Sequence, residues 1–163
     1  MTLVDTNVLL DIATNDPKSA AWSLRRLDAA AIRGPVLLNA VVYAEFSVGY
    51  ARIEEVDKVL ADVDLKLAET PRPALFLAGK AFQRYRARGG ARTSVLPDFF
   101  IGAHAAVARF VLLTRDPRRY RAYFPGRSSL RRTRRNDDDP CGTLSIAAST
   151  ALRPRRSSRR RCA

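Results

Sequence analysis

Leu3-Val4-Asp5-Thr6-Asn7-Val8-Leu9-Leu10-Asp11-Ile12 is the stretch from which the fold can be read. Leu3-Val4 is a short apolar strand that ends in three polar residues, and Val8, Leu9, Leu10 and Ile12 then form a brief helix. The same strand-to-helix change recurs downstream. Val36-Leu37-Leu38 is a continuous apolar run, as expected of a strand covered on both faces, and a helix over 40–52 follows it. Leu65-Lys66-Leu67 can form a third strand and Phe110-Val111-Leu112-Leu113 a fourth, followed by a short helix from Asp116-Pro117 to Tyr123. Strands alternating with helices predict a parallel sheet between helical layers, an α/β architecture.

The intervening helices carry their own punctuation. Asp16-Pro17 opens one, with the Asp as cap and the Pro in the first turn, and Gly34-Pro35 stops it. Its apolar stripe is expected to run through Ala21, Leu24 and Leu27. A helix over 53–62 precedes the third strand. Pro73 to Arg88 is amphipathic, with Leu75, Ala78, Phe82 and Tyr85 near 3.6-residue spacing, and Gly89-Gly90 ends it. Pro97 starts the helix that leads into strand four.

Charge divides the chain. Residues 1–126 carry 18 Lys+Arg and 13 Asp+Glu, whereas residues 127–163 carry 11 Arg, no Lys and 3 Asp. Beyond Pro125-Gly126 aromatics vanish and periodicity is lost, so 127–163 is expected to be a disordered tail on a domain of residues 1–126. This Arg/Ser/Pro-rich remainder reads like an out-of-frame translation of GC-rich coding sequence. Cys141 and Cys162 both lie in it, and no His/Cys set has zinc-ligand spacing. The apolar windows 36–51 and 99–114 are interrupted by Asn39, Glu45, His104 and Arg109. Neither reaches the roughly 18 uninterrupted residues of a membrane span, and Asp5 falls where a signal peptide would enter its apolar core. The body reads as soluble and cytoplasmic.

Topology brings four acids toward one end of the sheet. In a parallel sheet the carboxyl ends of all strands share an edge, and the helices between them start there. Asp5 ends strand one and Asp116 lies just past strand four. Asp98 is in the first turn of the helix leading into strand four, and Glu45 is roughly 9 Å along the helix after strand two. Clustered carboxylates repel one another unless a cation balances them, and no Lys is placed among them, so a divalent metal such as Mg²⁺ is the natural partner. Each acid also has a plainer reading. Asp5 and Asp116 suit caps, Asp98 suits a helix dipole, and Glu45, between Val41 and Val48, could sit at a rim.

Other polar groups carry less. His104 does not share the helical face of Asp98, so a packed side chain is the simpler reading. Arg84, Arg86, Arg88 and Arg92 flank Gly89-Gly90 and could touch phosphates, although a solvated helix end is the default.

Four motifs together resemble a known family. Val4-Asp5-Thr6-Asn7, Val42-Tyr43-Ala44-Glu45, Leu96-Pro97-Asp98-Phe99 and Leu113-Thr114-Arg115-Asp116 resemble the PIN-domain ribonucleases, specifically the VapC toxins of type II toxin–antitoxin systems. The resemblance covers about residues 1–125. It implies a three-layer fold around a short parallel sheet, here with four strands where the family has five, and a homodimer. It implies Mg²⁺- or Mn²⁺-dependent endonucleolytic cleavage of RNA, and neutralisation by a cognate antitoxin protein. By motif position Asp5, Glu45, Asp98 and Asp116 are the implied catalytic metal ligands, with Thr6, Asn7 and Thr114 as supporting polar groups. Arg115, Arg88 and Arg92 are weaker candidates for RNA contact. The chain departs from the family after Phe124-Pro125, where an apolar edge strand is expected and Gly126-Arg127-Ser128-Ser129 stands instead.

Two rivals come from other classes. One is a non-catalytic RNA-binding protein with an inert acidic pocket. The other is a receiver-like domain, which expects an acceptor Asp ending strand three, where Leu65-Lys66-Leu67 runs instead into Ala68-Glu69.

Overall fold

The computed structural model describes residues 1–90, 96–124 and 144–145. Strands β1 (Thr2–Val4), β2 (Val36–Asn39), β3 (Leu65–Ala68) and β4 (Val111–Leu113) are mutually parallel. They stand in the order β3-β2-β1-β4. All three residues of β1 are buried, and so are Leu112 and Leu113 of β4. Successive strand residues point to opposite faces, so both faces of the sheet centre are covered. At the β3 edge Lys66 and Leu67 are exposed, and a lysine on an outer strand discourages pairing with another chain.

Seven helices are described: α1 (Thr6–Ala13), α2 (Ala20–Arg33), α3 (Ala40–Ser47), α4 (Ile53–Asp62), α5 (Arg72–Ala87), α6 (Leu96–Ala108) and α7 (Pro117–Tyr123). None is long and apolar enough to cross a membrane. α3 starts directly from β2 because Asn39 caps it, its Oδ1 accepting from the Val42 N–H at 3.0 Å. It ends at Ser47, earlier than the sequence predicts.

α2 also starts later than expected. Asp16 Oδ1 accepts from the N–H groups of Lys18 (3.0 Å) and Ser19 (2.7 Å), so Asp16 caps a turn and the helix begins at Ala20. The buried face of α2 is Ser23, Leu27 and Ala30, whereas Leu24 is exposed. Ser23 is inside because its hydroxyl donates to the buried Asp11 carboxylate at 2.7 Å, a pairing that periodicity cannot reveal.

α5 packs against α6 through Ala74, Ala78 and Ala81, while Leu75 is exposed. Small side chains allow two helices to approach closely, so the alanine row faces the core; of the predicted stripe Ala78 is in that row and Phe82 and Tyr85 pack on Phe99 beside it. On α3 the buried residues are Val42 and Phe46, with Val48 exposed, so Glu45 is not enclosed by the valine pair that the sequence suggested.

The expectation that nothing beyond residue 126 forms regular structure is corrected at one place. Leu144–Ser145 forms a fifth strand, β5, antiparallel to β4, with Val111 opposite Ser145 and Leu112 opposite Leu144. The edge of β4 offers unpaired backbone donors and acceptors, and even a two-residue segment can satisfy some of them.

One topological feature positions the candidate site. β1 has β2 on one side and β4 on the other, so chain order reverses between β1 and β4. Such a switch point leaves a crevice at the carboxyl ends of the two strands, where ligands of open α/β sheets bind.

Candidate active site

Asp5 leaves β1 into that crevice. Its backbone N–H donates to the Leu113 carbonyl at 2.9 Å, which splices it to the end of β4. The residue is only 4 % exposed. Its Oδ2 accepts from Thr114 Oγ1 at 2.6 Å and from Asn7 Nδ2 at 2.7 Å. Burial pushes its pKa up to about 6, opposed by the Thr114 hydroxyl and reinforced by the charge of Asp98.

Thr114 is a hub. While donating to Asp5, its oxygen accepts from the Asp116 N–H at 3.1 Å and from Asn7 Nδ2 at 3.3 Å. Asn7 in turn accepts from the Arg115 N–H through Oδ1 at 3.2 Å. Fully buried Thr114 thus ties the acid after β1 to the acid after β4. Thr114→Val should lower stability by about 1–3 kcal/mol, the usual cost of stripping a buried hydrogen-bond partner. The reading is a urea melt compared with wild type.

Asp116 is the N-cap of α7, its Oδ1 accepting from the Arg119 N–H at 3.3 Å. Capping and membership of the acidic group therefore coexist. Asp98, in the first turn of α6, keeps a side chain only 15 % exposed. Burial raises its pKa, and Glu45 and Asp116 push in the same direction against the lowering effect of Arg119. Glu45, half-buried on α3, accepts a hydrogen bond from the Thr6 hydroxyl. All four acids are thus in electrostatic or hydrogen-bonded communication at one sheet edge. No three of them, nor any other trio of His, Cys, Asp or Glu among the described residues, is drawn close enough to hold an ion as it stands.

Sequence reasoning looked for a lysine and passed over Arg119. Its Nη1 lies 3.0 Å from Asp98 Oδ2 and its Nε 3.2 Å from Asp116 Oδ2. The signal was present, since Arg119 is three residues past Asp116 on a helix and i,i+3 pairs face each other. Its reach to Asp98 was not legible. Tyr120 was also missed. The residue is 1 % exposed and its hydroxyl makes no hydrogen bond of ordinary geometry. Burial raises its pKa well above the usual phenol range, and the nearby charges of Asp5 and Asp98 add to that.

The remaining candidates divide. The Arg115 guanidinium is 3.1 Å from Asp11 Oδ1 and 2.7 Å from Ser19 Oγ, which ties the β4–α7 turn to α1 while the side chain remains exposed. Arg88 is exposed at the end of α5. With Arg84, Tyr85 and Tyr123 it lines a groove of about 540 Å³. Arg92 lies outside the described residues. His104 is packed, 1 % exposed, with its ring centroid 5.6 Å from that of Phe110.

The donor set suits a hard divalent cation. It consists of carboxylate oxygens, and burial with mutual repulsion already raises two of the acids. Two of them hold a cationic group, Arg119, between them.

Known structures share this architecture. The VapBC2 complex of Rickettsia felis, solved with a promoter DNA fragment, is similar with a TM-score of 0.58 and 18 % identity, over 74 % of this chain and 91 % of that one. FitAcB of Neisseria gonorrhoeae is similar with a TM-score of 0.54 and 19 % identity, over 76 % and 93 %. A toxin–antitoxin complex of Klebsiella pneumoniae gives a TM-score of 0.52 and 20 % identity, over 71 % and 86 %. At such identities the likeness concerns the fold. No curated protein matches the chain in sequence. The PIN domain family matches residues 2–125, which include every acid described above, and the chain belongs to that family.

Proposed function

We propose that this protein is a divalent-metal-dependent endoribonuclease and the toxin of a toxin–antitoxin pair. The observation that carries the reading is the meeting of Asp5, Glu45, Asp98 and Asp116 at the β1/β4 switch point, where Glu45 and Asp116 act on Asp98 and Asp98 acts on Asp5. PIN domains are generally nucleases that use divalent metals, and nothing else in the described residues gathers this much acid.

Asp5, Glu45, Asp98 and Asp116 would hold Mg²⁺ or Mn²⁺. Such an ion activates water and stabilises the charge that builds on a phosphodiester during in-line attack. The chain's own part is placement. Asn7 and Thr114 orient the Asp5 carboxylate, Thr6 orients Glu45, and the α7 cap orients Asp116. Supporting hydrogen bonds of this kind hold metal ligands in position.

An acidic pocket without a metal attracts cationic side chains, which fits neutralisation by an antitoxin protein with an Arg or Lys in its inhibitory segment. Two of the similar structures named above, a VapBC2 complex and a toxin–antitoxin complex, support that partner. RNA is the proposed substrate and a homodimer the proposed assembly.

Incubation of the purified protein with RNA tests the reading. Cleavage is expected with Mg²⁺ or Mn²⁺ and should stop with EDTA. Binding without cleavage in either metal would favour the non-catalytic RNA-binding alternative.

A further inference from the structure

Arg119 is the one cation in ion-pair contact with the candidate acids among the described residues. Its two nitrogens reach acids from different elements, Asp98 on α6 and Asp116 before α7. A guanidinium is planar and permanently charged, so it can bridge two carboxylates as a fork. Here the bridge engages Oδ2 of two of the four acids proposed to hold a divalent ion. An ion drawn to the same Oδ2 atoms would meet the guanidinium's positive charge at contact range, so the two compete for Asp98 Oδ2 and Asp116 Oδ2.

We propose that Arg119 is a resident counter-ion that a divalent metal must displace from Asp98 and Asp116, so that it sets the metal affinity of the site. This rests on the metal-binding reading above. In the metal-free protein the guanidinium offsets the repulsion among buried acids, holding Asp98 and Asp116 together. On metal entry the side chain leaves both carboxylates. Its half-exposed position, 43 % accessible, leaves it room to swing outward without disturbing the core.

Mn²⁺ binding measured by calorimetry on the full chain tests this. Arg119→Gln removes the charge and the fork while keeping a polar side chain, and should bind Mn²⁺ about tenfold more tightly than wild type. That is the order expected from losing two partly exposed ion pairs. Arg119→Lys keeps the charge but cannot bridge both acids equally, and should fall between the two. Arg118→Gln makes the same change in net charge from an exposed position one residue away, and should tighten binding much less.

A second readout needs no substitution. In wild-type protein the ¹⁵N resonance of the Arg119 Nε–H should move toward that of an exposed arginine as Mg²⁺ is added.

Equal tightening by Arg118→Gln and Arg119→Gln would overturn the displacement and leave only a general field effect. Unchanged or weaker binding in Arg119→Gln, with wild type still binding, would overturn it while leaving the metal site standing. So would an Arg119 resonance that stays put as metal binds. Failure of both wild type and Arg119→Gln to bind Mn²⁺ would instead remove the metal reading and this inference together.

Discussion

Asp98→Asn and Asp5→Asn are each expected to lower RNA cleavage by on the order of a thousandfold, the usual scale for losing one electrostatic element of a preorganised site. Both acids sit where several partners converge. Asp5 takes hydrogen bonds from Thr114 and Asn7, and Asp98 is paired with Arg119. An amide oxygen can still accept from these donors, so the local geometry survives while the negative charge is lost. Single-turnover cleavage at saturating Mg²⁺ is the measurement, with circular dichroism to show that both variants fold. Full activity in either one would exclude that residue from the active site.

The second large effect concerns stability and has the opposite sign. Asp5→Asn should make the metal-free protein more stable at neutral pH. Folding carries the Asp5 carboxyl from an ordinary pKa of 3.8 to about 6. Between those values the folded state keeps a proton that the unfolded state has released, so stability falls as pH rises through the window. Asp98 is raised too and adds in the same direction. Asp16 is lowered by the N–H groups of Ser19 and Lys18 and acts oppositely, but only at more acid pH.

For buried Asp5 the shift corresponds to about 3 kcal/mol of strain at pH 7. In a domain of this size each kcal/mol moves Tm by about 2–4 °C, so the Asn variant should melt about 6–12 °C higher in EDTA. Wild type should itself be more stable at pH 5 than at pH 7, and the variant should show a flatter profile. Saturating Mg²⁺ should reverse the ranking, because the ion binds the native wild-type site and stabilises it by mass action. A variant that melts lower than wild type in EDTA would mean that the Asp5 charge is well compensated in the fold.

The polypeptide alone determined where its regular elements lie. Short apolar runs become strands because the alternating layers bury both of their faces, and Asn39 and Asp116 cap helices by local hydrogen bonds that depend on a few neighbouring residues. Because those strands are parallel, their carboxyl ends share an edge, and the four acids could be expected there from the order of elements alone. The strand order was not local information. Nothing in Leu3-Val4 says that β4 rather than β3 lies beside it, and that choice creates the switch point where Asp5 and Thr114 touch across 109 positions of sequence.

Tertiary structure also decided what periodicity misjudged. It left Leu24 and Leu75 exposed, and it buried Ser23 against Asp11. It carried Arg119 across 21 positions to Asp98. Each of these depends on how two distant surfaces come within a few ångströms, where close packing and charge pairing outweigh the preferences of a single segment.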